Sequence, residues 1–321
     1  MRVLFAGTPE IALPSLDALL ESSHDVVGVL TAPDRVRGRG RKLTASPVKV
    51  RASGAGIPVL SPERLDRAVR ENVRALEPEL LACIAYGKIF GPRFLSLFDR
   101  GAVNVHPSLL PLYRGPAPIP AAIANGDERT GVTVQQMARE MDAGDILMQE
   151  AFPLSGSETT GSLTELLASV GARLLIATID GLANGTVKAV AQDHKRASYT
   201  RLIEKQDGVI DWTRAAHEIE RQVRAMLPWP KAYTEFRGER LAILETSPVA
   251  AGQTANRASG GASRESPGTI VSVDMTEGIL VETGNGLLAL RTLQLPSRKP
   301  LDWKSFANGV AGLEGTMLGG S

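Results

Sequence analysis

Residues 102–115 read Ala102-Val103-Asn104-Val105-His106-Pro107-Ser108-Leu109-Leu110-Pro111-Leu112-Tyr113-Arg114-Gly115. Valines alternate with Asn104 and His106 through the first part. In a strand, residues two apart project from the same face, so Asn104 and His106 point together while Val103 and Val105 turn into the core. Pro107 has no N–H to give to a sheet ladder, so the strand ends there, at the carboxyl edge where open α/β sheets form their ligand crevices. Pro111, Pro116 and Pro118 then restrict φ repeatedly around Arg114-Gly115, which favours a stiff loop able to form a pocket wall. Further on, Met141-Asp142-Ala143-Gly144-Asp145 adds an acidic turn. An isolated Asn-x-His is more simply a strand end capped by its own side chains. The Pro-rich loop and the acidic turn move the reading toward a site holding an amide, an imidazole and a carboxylate.

Working outward, residues 2–6, 25–30, 80–85 and 103–106 read as short buried strands, and 13–22 and 62–76 as amphipathic helices. Alternating strands and helices predict an α/β fold, a doubly wound and mostly parallel sheet. Residues 131–137 alternate as another strand that delivers the chain to Asp142 and Asp145, and 162–184 has helical spacing at Leu163, Leu166, Leu167, Val170, Leu174 and Ile179. The first domain is expected over 1–187. Residues 188–206 carry charge with little apolar periodicity and read as a linker, which leaves 207–321 as a second domain. There Thr213 can cap a helix over 214–227 that Pro228 and Pro230 stop. Strand-like runs follow at 232–236, 241–244, 268–273, 278–282 and 287–293, with Gly284-Asn285-Gly286 as a hairpin signal, so a small antiparallel barrel is expected. Residues 250–267, rich in Gly, Ser, Ala and Arg, read as a disordered loop inside that domain.

The 321 residues are 43% hydrophobic, enough for packed cores, and no run reads as a membrane span. The single cysteine, Cys83, excludes an intramolecular disulfide and sits in an apolar run, as a small buried hydrophobe would. The chain enters its first strand without a leader pattern, so the cytoplasm is the expected compartment. A net charge of +1 argues nothing about nucleic acid; the distribution does. Between Arg35 and Arg51 lie Arg37, Arg39, Arg41, Lys42 and Lys49 with no acidic residue, and Gly38 and Gly40 loosen the backbone. This run fits neither the dinucleotide nor the P-loop fingerprint. Most charge runs are solvated faces, but a cluster of like charges gains order when phosphates neutralise it. His217-Glu218 begins like a zinc-peptidase helix, yet Arg221 stands where the second imidazole would be needed, so no metal is expected. His24 and His194 read as surface or loop residues.

The runs NVHPSLLP, YRGPAPIP and MDAGD resemble those of the 10-formyltetrahydrofolate-dependent formyltransferases. Further segments narrow the resemblance to the members that act on methionyl-tRNA: Ala6-Gly7-Thr8-Pro9-Glu10, Ala32-Pro33-Asp34-Arg35, the loop from Gly38-Arg39-Gly40 to Pro47-Val48-Lys49, Ala85-Tyr86-Gly87, Ile210-Asp211-Trp212 and Pro228-Trp229-Pro230. They span nearly the whole chain in order. The resemblance implies a catalytic first domain and an OB-like second domain, a fold often used on single-stranded nucleic acid. It implies that the formyl donor, 10-formyltetrahydrofolate, lies along Ser108, Leu109, Leu110 and Pro111, held largely by their backbone groups, with Tyr86, Gly87, Gly144 and Asp145 lining the pteridine side. Attack of the methionyl amine on the formyl carbon makes an oxyanion. Asn104 and His106 are expected to donate to it, while Asp142 orients or charges His106 or holds a water that relays the amine proton. Arg39 is expected to read the unpaired acceptor end of initiator tRNA, and Arg37, Arg41, Lys42 and Lys49 to position phosphates. Asp34-Arg35-Val36-Arg37 departs from a family pattern with Pro and Ala after the Arg, making this loop less rigid and more basic. A monomer without a membrane partner is expected. Two other readings share the same residues: formyl transfer to a small amine, which leaves the basic loop and second domain unexplained, and an RNA-binding protein without catalysis, against which the intact triad argues.

Overall fold

The structure is a computed structural model that describes residues 1–37, 42–249 and 265–319, with only the backbone of Arg37. The chain divides into two compact units, the first made of Met1–Pro118, Arg129–Pro153 and Leu163–Arg201, the second of Ile119–Glu128, Leu154–Ser162 and Leu202–Ser321.

The first unit contains β1 (Arg2–Gly7), α1 (Leu13–Glu21), β2 (Asp25–Leu30), β3 (Arg35–Arg37), β4 (Lys42–Thr44), α2 (Pro47–Gly54) and β5 (Val59–Leu60). It continues through α3 (Arg67–Ala75), β6 (Leu80–Ile84), α4 (Pro92–Leu95), β7 (Ala102–His106), β8 (Arg129–Gln136), β9 (Ile146–Pro153) and all but the first turn of α6 (Thr160–Asn184), with α5 (Pro118–Asn125) falling mainly to the second unit. Seven strands form one sheet in the order β5-β2-β1-β6-β7-β8-β9, parallel from β5 to β7 and antiparallel at β8 and β9. This is the expected doubly wound arrangement. Leu4, Ala6, Leu81, Cys83 and Ala102 share one face with Val73 of α3, Phe94 of α4, Tyr86, Phe90 and Phe98. On the other face α6 comes close enough that a Cβ on Gly171 would stand 2.8 Å from Val105 Cγ1, which is why glycine is needed there.

Four readings change. The helix expected from residue 62 begins at Arg67, because the Asp66 carboxylate accepts the Val69 N–H at 3.0 Å and caps it there. Helix α6 is, by length and composition, apolar enough to cross a membrane, contrary to the sequence reading; half of its apolar window is buried inside the fold. The segment read as a linker from residue 188 belongs, up to Arg201, to the first unit. His24, read as a surface or loop residue, is 9% exposed, with its Nε2 3.1 Å from Asp180 Oδ1.

Burial pushes the Cys83 thiol up from 9.0 to about 12, against a lowering by the Tyr86 main-chain hydrogen bond, and the charge of Asp142 adds to the rise. The same burial, with a smaller contribution from Cys83, pushes the Tyr86 phenol up from 10.0 to about 12. Both values exceed those of the unfolded chain, so the stability these protons contribute is complete below pH 9 and lost as the pH rises toward 12. Urea midpoints are therefore expected to fall between these limits, and a constant midpoint would contradict the buried pair.

The second unit contains α7 (Ala216–Ala225), β10 (Ala232–Phe236), β11 (Glu239–Pro248), β12 (Ile270–Asp274), β13 (Gly278–Glu282), β14 (Leu287–Gln294), β15 (Leu301–Asp302) and α8 (Trp303–Asn308). The strands pair antiparallel in the order β10-β11-β14-β13-β12, with β15 beside β14. The expected hairpin joins β13 to β14, closed by Thr283 N–H to Gly286 O at 3.1 Å. Thr213 does not cap α7: its hydroxyl bonds Asp211 at 2.6 Å, and Glu218 takes the Ala215 N–H at 3.0 Å. Arg224 pairs with Glu220 along α7. Residues 250–264 of the expected disordered loop lie outside the described residues.

Candidate active site

β7 ends at the carboxyl edge of the parallel strands, and the residues at 104 and 106 share the face of Cys83, which pairs with Asn104 across β6 and β7. Beyond that apolar face the polar pair meets the acidic turn. Asn104 Nδ2 lies 3.5 Å from Asp142 Oδ1, and His106 Nδ1 lies 3.6 Å from Asp142 Oδ2. The three residues singled out for chemistry are thus together. His106 is 4% exposed, and Asn104 and Asp142 are half-buried.

The imidazole is held more tightly than a sequence can convey. Its Nε2 stands 2.9 Å from the Tyr113 carbonyl oxygen. A carbonyl only accepts, so the Nε2 hydrogen is committed there and Nδ1 is the ring atom left facing the carboxylate. Tyr113 adopts φ 58°, a left-handed conformation uncommon for a non-glycine, and its N–H donates to Ser198 Oγ at 2.8 Å. Asp142 is likewise left-handed, at φ 53°. Its Oδ2 accepts the Gly115 N–H at 2.8 Å and its Oδ1 the Gln135 Nε2–H at 3.0 Å, so each oxygen of the carboxylate is fixed by its own donor.

Several of these partners escaped the sequence reading. Gln135 had a signal: β8 alternates, and its antiparallel register sets Gln135 opposite Asn104 and Thr133 opposite His106, carrying the polar face of β7 onto the next strand. Gln192 and Ser198 had none, because they lie in the segment read as a linker and act only through contacts far away in sequence. Arg114, noted only as part of the loop, is 2% exposed and donates to Gln192 Oε1 from Nη2 at 2.7 Å and from Nε at 3.2 Å. His194, expected on the surface, is exposed, and its Nδ1 lies 3.0 Å from Arg114 Nη2.

Residues 108–111 follow β7 as a braced loop. Ser108 N donates to His106 O at 2.9 Å, and Ser108 O accepts from Thr133 Oγ1 at 2.7 Å. Leu109 O accepts the Leu112 N–H at 3.0 Å; Leu110 gives its N–H to Thr133 Oγ1 at 3.1 Å and takes Gln149 Nε2 on its oxygen at 3.1 Å. These backbone groups, among those expected to bind a ligand, are therefore bonded within the protein. Leu109 and Pro111 are half-buried and Leu110 is buried. On neighbouring β6, the turn after Ile84 leaves Gly87 exposed with open space around its α-carbon, while Tyr86 is 3% exposed with no hydrogen-bond partner for its Oη among the described residues. Gly144 is buried so tightly that a Cβ would stand 1.8 Å from Gln136 O, and the Asp145 carbonyl accepts the Gln136 N–H at 2.9 Å, pinning the acidic turn to the end of β8.

The basic run forms the arms of a hairpin, β3 and β4, with Arg35 opposite Thr44 and Arg37 opposite Lys42. Lys42 is exposed; Arg39 and Arg41 lie outside the described residues, as does the side chain of Arg37. Lys49, expected to position phosphate with them, does not extend with the hairpin. It stands in the first turn of α2 and pairs with Asp34 at 2.8 Å, a bond that holds its ammonium at the base of the hairpin.

Residues 1–179 match the family model described as formyl transferase, and residues 202–311 the one described as formyl transferase, C-terminal domain. The chain is 46% identical over 317 residues to a methionyl-tRNA formyltransferase of Treponema pallidum (strain Nichols), covering 96% of each chain. It is 44% identical over 322 residues to one of Roseiflexus castenholzii, covering 100% of this chain and 99% of that one. Among solved structures, an N-formyltransferase from Helicobacter canadensis in complex with folinic acid and dTDP-3-aminofucose superposes with a TM-score of 0.65 at 19% identity, over 92% of this chain and 100% of that one, a likeness of fold.

Proposed function

We propose, for a chain that belongs to the formyl transferase family and within it to the methionyl-tRNA formyltransferases, a direct transfer in which its own side chains handle one oxygen and one proton. The chain is a one-carbon transferase that takes formyl from 10-formyltetrahydrofolate and gives it to the amine of methionyl-tRNA. The convergence of Asn104, His106 and Asp142 at the end of β7 carries the reading. An α-amino group titrates at about 7.7 to 8.0, so near neutrality a free amine is available to attack the formyl carbon. As the new C–N bond forms, the carbonyl oxygen becomes anionic and Asn104 Nδ2 donates to it, an interaction present only in the transition state. The Tyr113 carbonyl keeps the imidazole in the tautomer whose Nδ1 is open, and that atom takes the amine proton. The resulting imidazolium donates to the oxyanion, faces the Asp142 carboxylate, and returns the proton to N10 of the folate as the old C–N bond breaks. Asp142 thereby acts by charge and orientation on His106, and no covalent enzyme intermediate forms.

For the formyl donor, we place contact along Leu109, Leu110 and Pro111, with Ser108 bracing the loop through Leu112 O at 2.7 Å. Gly87, exposed with open space at its α-carbon, lies on the pteridine side next to the buried Tyr86, and Gly144 and Asp145 close the acidic side. For the acceptor, Lys42 on the hairpin, together with Arg37, Arg39 and Arg41 of the same basic run of sequence, contacts initiator tRNA, and Lys49 holds the base of that hairpin. The first unit, which runs to Arg201, is the catalytic domain, and the residues from 207 form the OB-like tRNA-binding domain.

Incubation with formyl donor and methionyl initiator tRNA, methionyl elongator tRNA or small amines tests the acceptor. Formylation of the initiator is expected; product on small amines alone would overturn the tRNA reading, and no product at all would favour a binding protein. Arg39→Ala is expected to weaken initiator discrimination and to lower the slope of log binding against log salt by about 1. Equal slopes in variant and parent would remove Arg39 from the phosphates.

A further inference from the structure

Arg114 is 2% exposed and Gln192 5%, and neither touches the reacting groups directly. Between them and Asp142 runs a chain of hydrogen bonds with only one workable direction. The guanidinium can only donate, so Gln192 must present Oε1 to it, at 2.7 Å from Nη2 and 3.2 Å from Nε. The amide nitrogen of Gln192 is then forced to the other side, where three oxygens await it: Gly144 O at 2.6 Å, Asp142 O at 2.9 Å and Gln135 Oε1 at 3.3 Å. Because Gln135 receives there, its own amide nitrogen points onward and donates to Asp142 Oδ1 at 3.0 Å. Two side-chain amides therefore run head to tail from a buried cation to the carboxylate, each polarising the next. Reversing Gln192 would set its oxygen against two main-chain carbonyl oxygens and strand the Arg114 donors.

The same amide clasps both ends of a strained turn. Asp142 sits at φ 53°, where a side-chain-bearing residue needs outside support, and Gln192 binds the carbonyls of Asp142 and Gly144 together. We infer that Gln192, oriented by Arg114, is a positioning residue for formyl transfer: it fixes the Asp142–Gly144 turn and, through Gln135, aims the Asp142 carboxylate at His106. The inference rests on the proposed part of Asp142 in the transfer.

Gln192→Glu separates the two halves of the device. A glutamate keeps the shape and the contact with Arg114 but turns the donating end into an acceptor facing two carbonyl oxygens. Since misplacing a catalytic group by about 1 Å costs on the order of 10²-fold, kcat is expected to fall on the order of ten- to a hundredfold. KM for methionyl-tRNA should stay within about twofold, because no residue assigned to that substrate has changed. Parent-level kcat in a folded Gln192→Glu protein, or a loss carried by KM for methionyl-tRNA, would overturn the inference. Should that protein fail to melt cooperatively, the same two outcomes decide it on Gln135→Leu, which leaves the Arg114–Gln192 contact in place and cuts the link to the carboxylate. Asp142→Asn assayed alongside separates the layers: parent-level kcat there would remove the reading of Asp142 itself, whereas a slow Asp142→Asn beside a normal Gln192→Glu would remove the positioning role alone.

Discussion

Asp142→Asn is expected to lower kcat about 10²- to 10⁴-fold, the range over which a positioned acid or base acts, while KM for both substrates stays near the parent value. The substitution is nearly isosteric, so the effect must come from charge and hydrogen-bond sense. The carboxylate accepts from Gly115 N at 2.8 Å through one oxygen and from Gln135 Nε2 at 3.0 Å through the other. An asparagine has one oxygen, so its amide nitrogen would face one of those donors and one buried bond would be lost. More consequentially, the negative charge 3.6 Å from His106 Nδ1 would vanish just where the imidazole takes up the amine proton. The cost then falls on the proton-transfer step rather than on binding. Steady-state kinetics at saturating formyl donor and methionyl-tRNA check this, and parent-level turnover would exclude Asp142 from the transfer.

Asn104→Ala is expected to slow turnover about a hundred- to a thousandfold, the usual loss for one oxyanion donor. Asn104 is half-buried, and its Nδ2 reaches Asp142 Oδ1 only at 3.5 Å, a long bond that leaves the amide donors available to a developing anion. Because the amide meets an anion only in the transition state, affinity for tRNA should not change. A variant that binds tRNA normally and turns over at the parent rate would assign the oxyanion to another donor.

Much of this site could be read from residues 102–115 because strand geometry is local. Alternation and a terminating proline suffice to set Asn104 and His106 side by side at a sheet end. The hydrophobic runs likewise foretold β1, β2, β6 and β7 to within a residue. What stayed hidden depends on distant partners. His106 was expected to offer a donor, yet which nitrogen carries the proton is decided by the Tyr113 carbonyl, which reaches the ring only because Tyr113 takes a left-handed turn anchored on Ser198. Lys49 looked like one more cation of a basic run until α2 set it against Asp34. Gln192 stands in a stretch without apolar periodicity, where the usual signals of order are silent; its order comes from saturated hydrogen bonding with Arg114 and the acidic turn. The long apolar α6 shows helical spacing in the sequence, but spacing alone does not tell a core helix from a candidate span; half of its apolar window is buried inside the fold.

The single-turnover rate of His106→Ala, with enzyme, formyl donor and methionyl initiator tRNA all mixed at saturation, isolates proton handling from binding and product release. A fall of about 10²- to 10⁴-fold with unchanged tRNA affinity is predicted, partly reversed by added imidazole. A single-turnover rate equal to the parent's would contradict the mechanism, since the amine proton would then leave by a route that does not pass through His106.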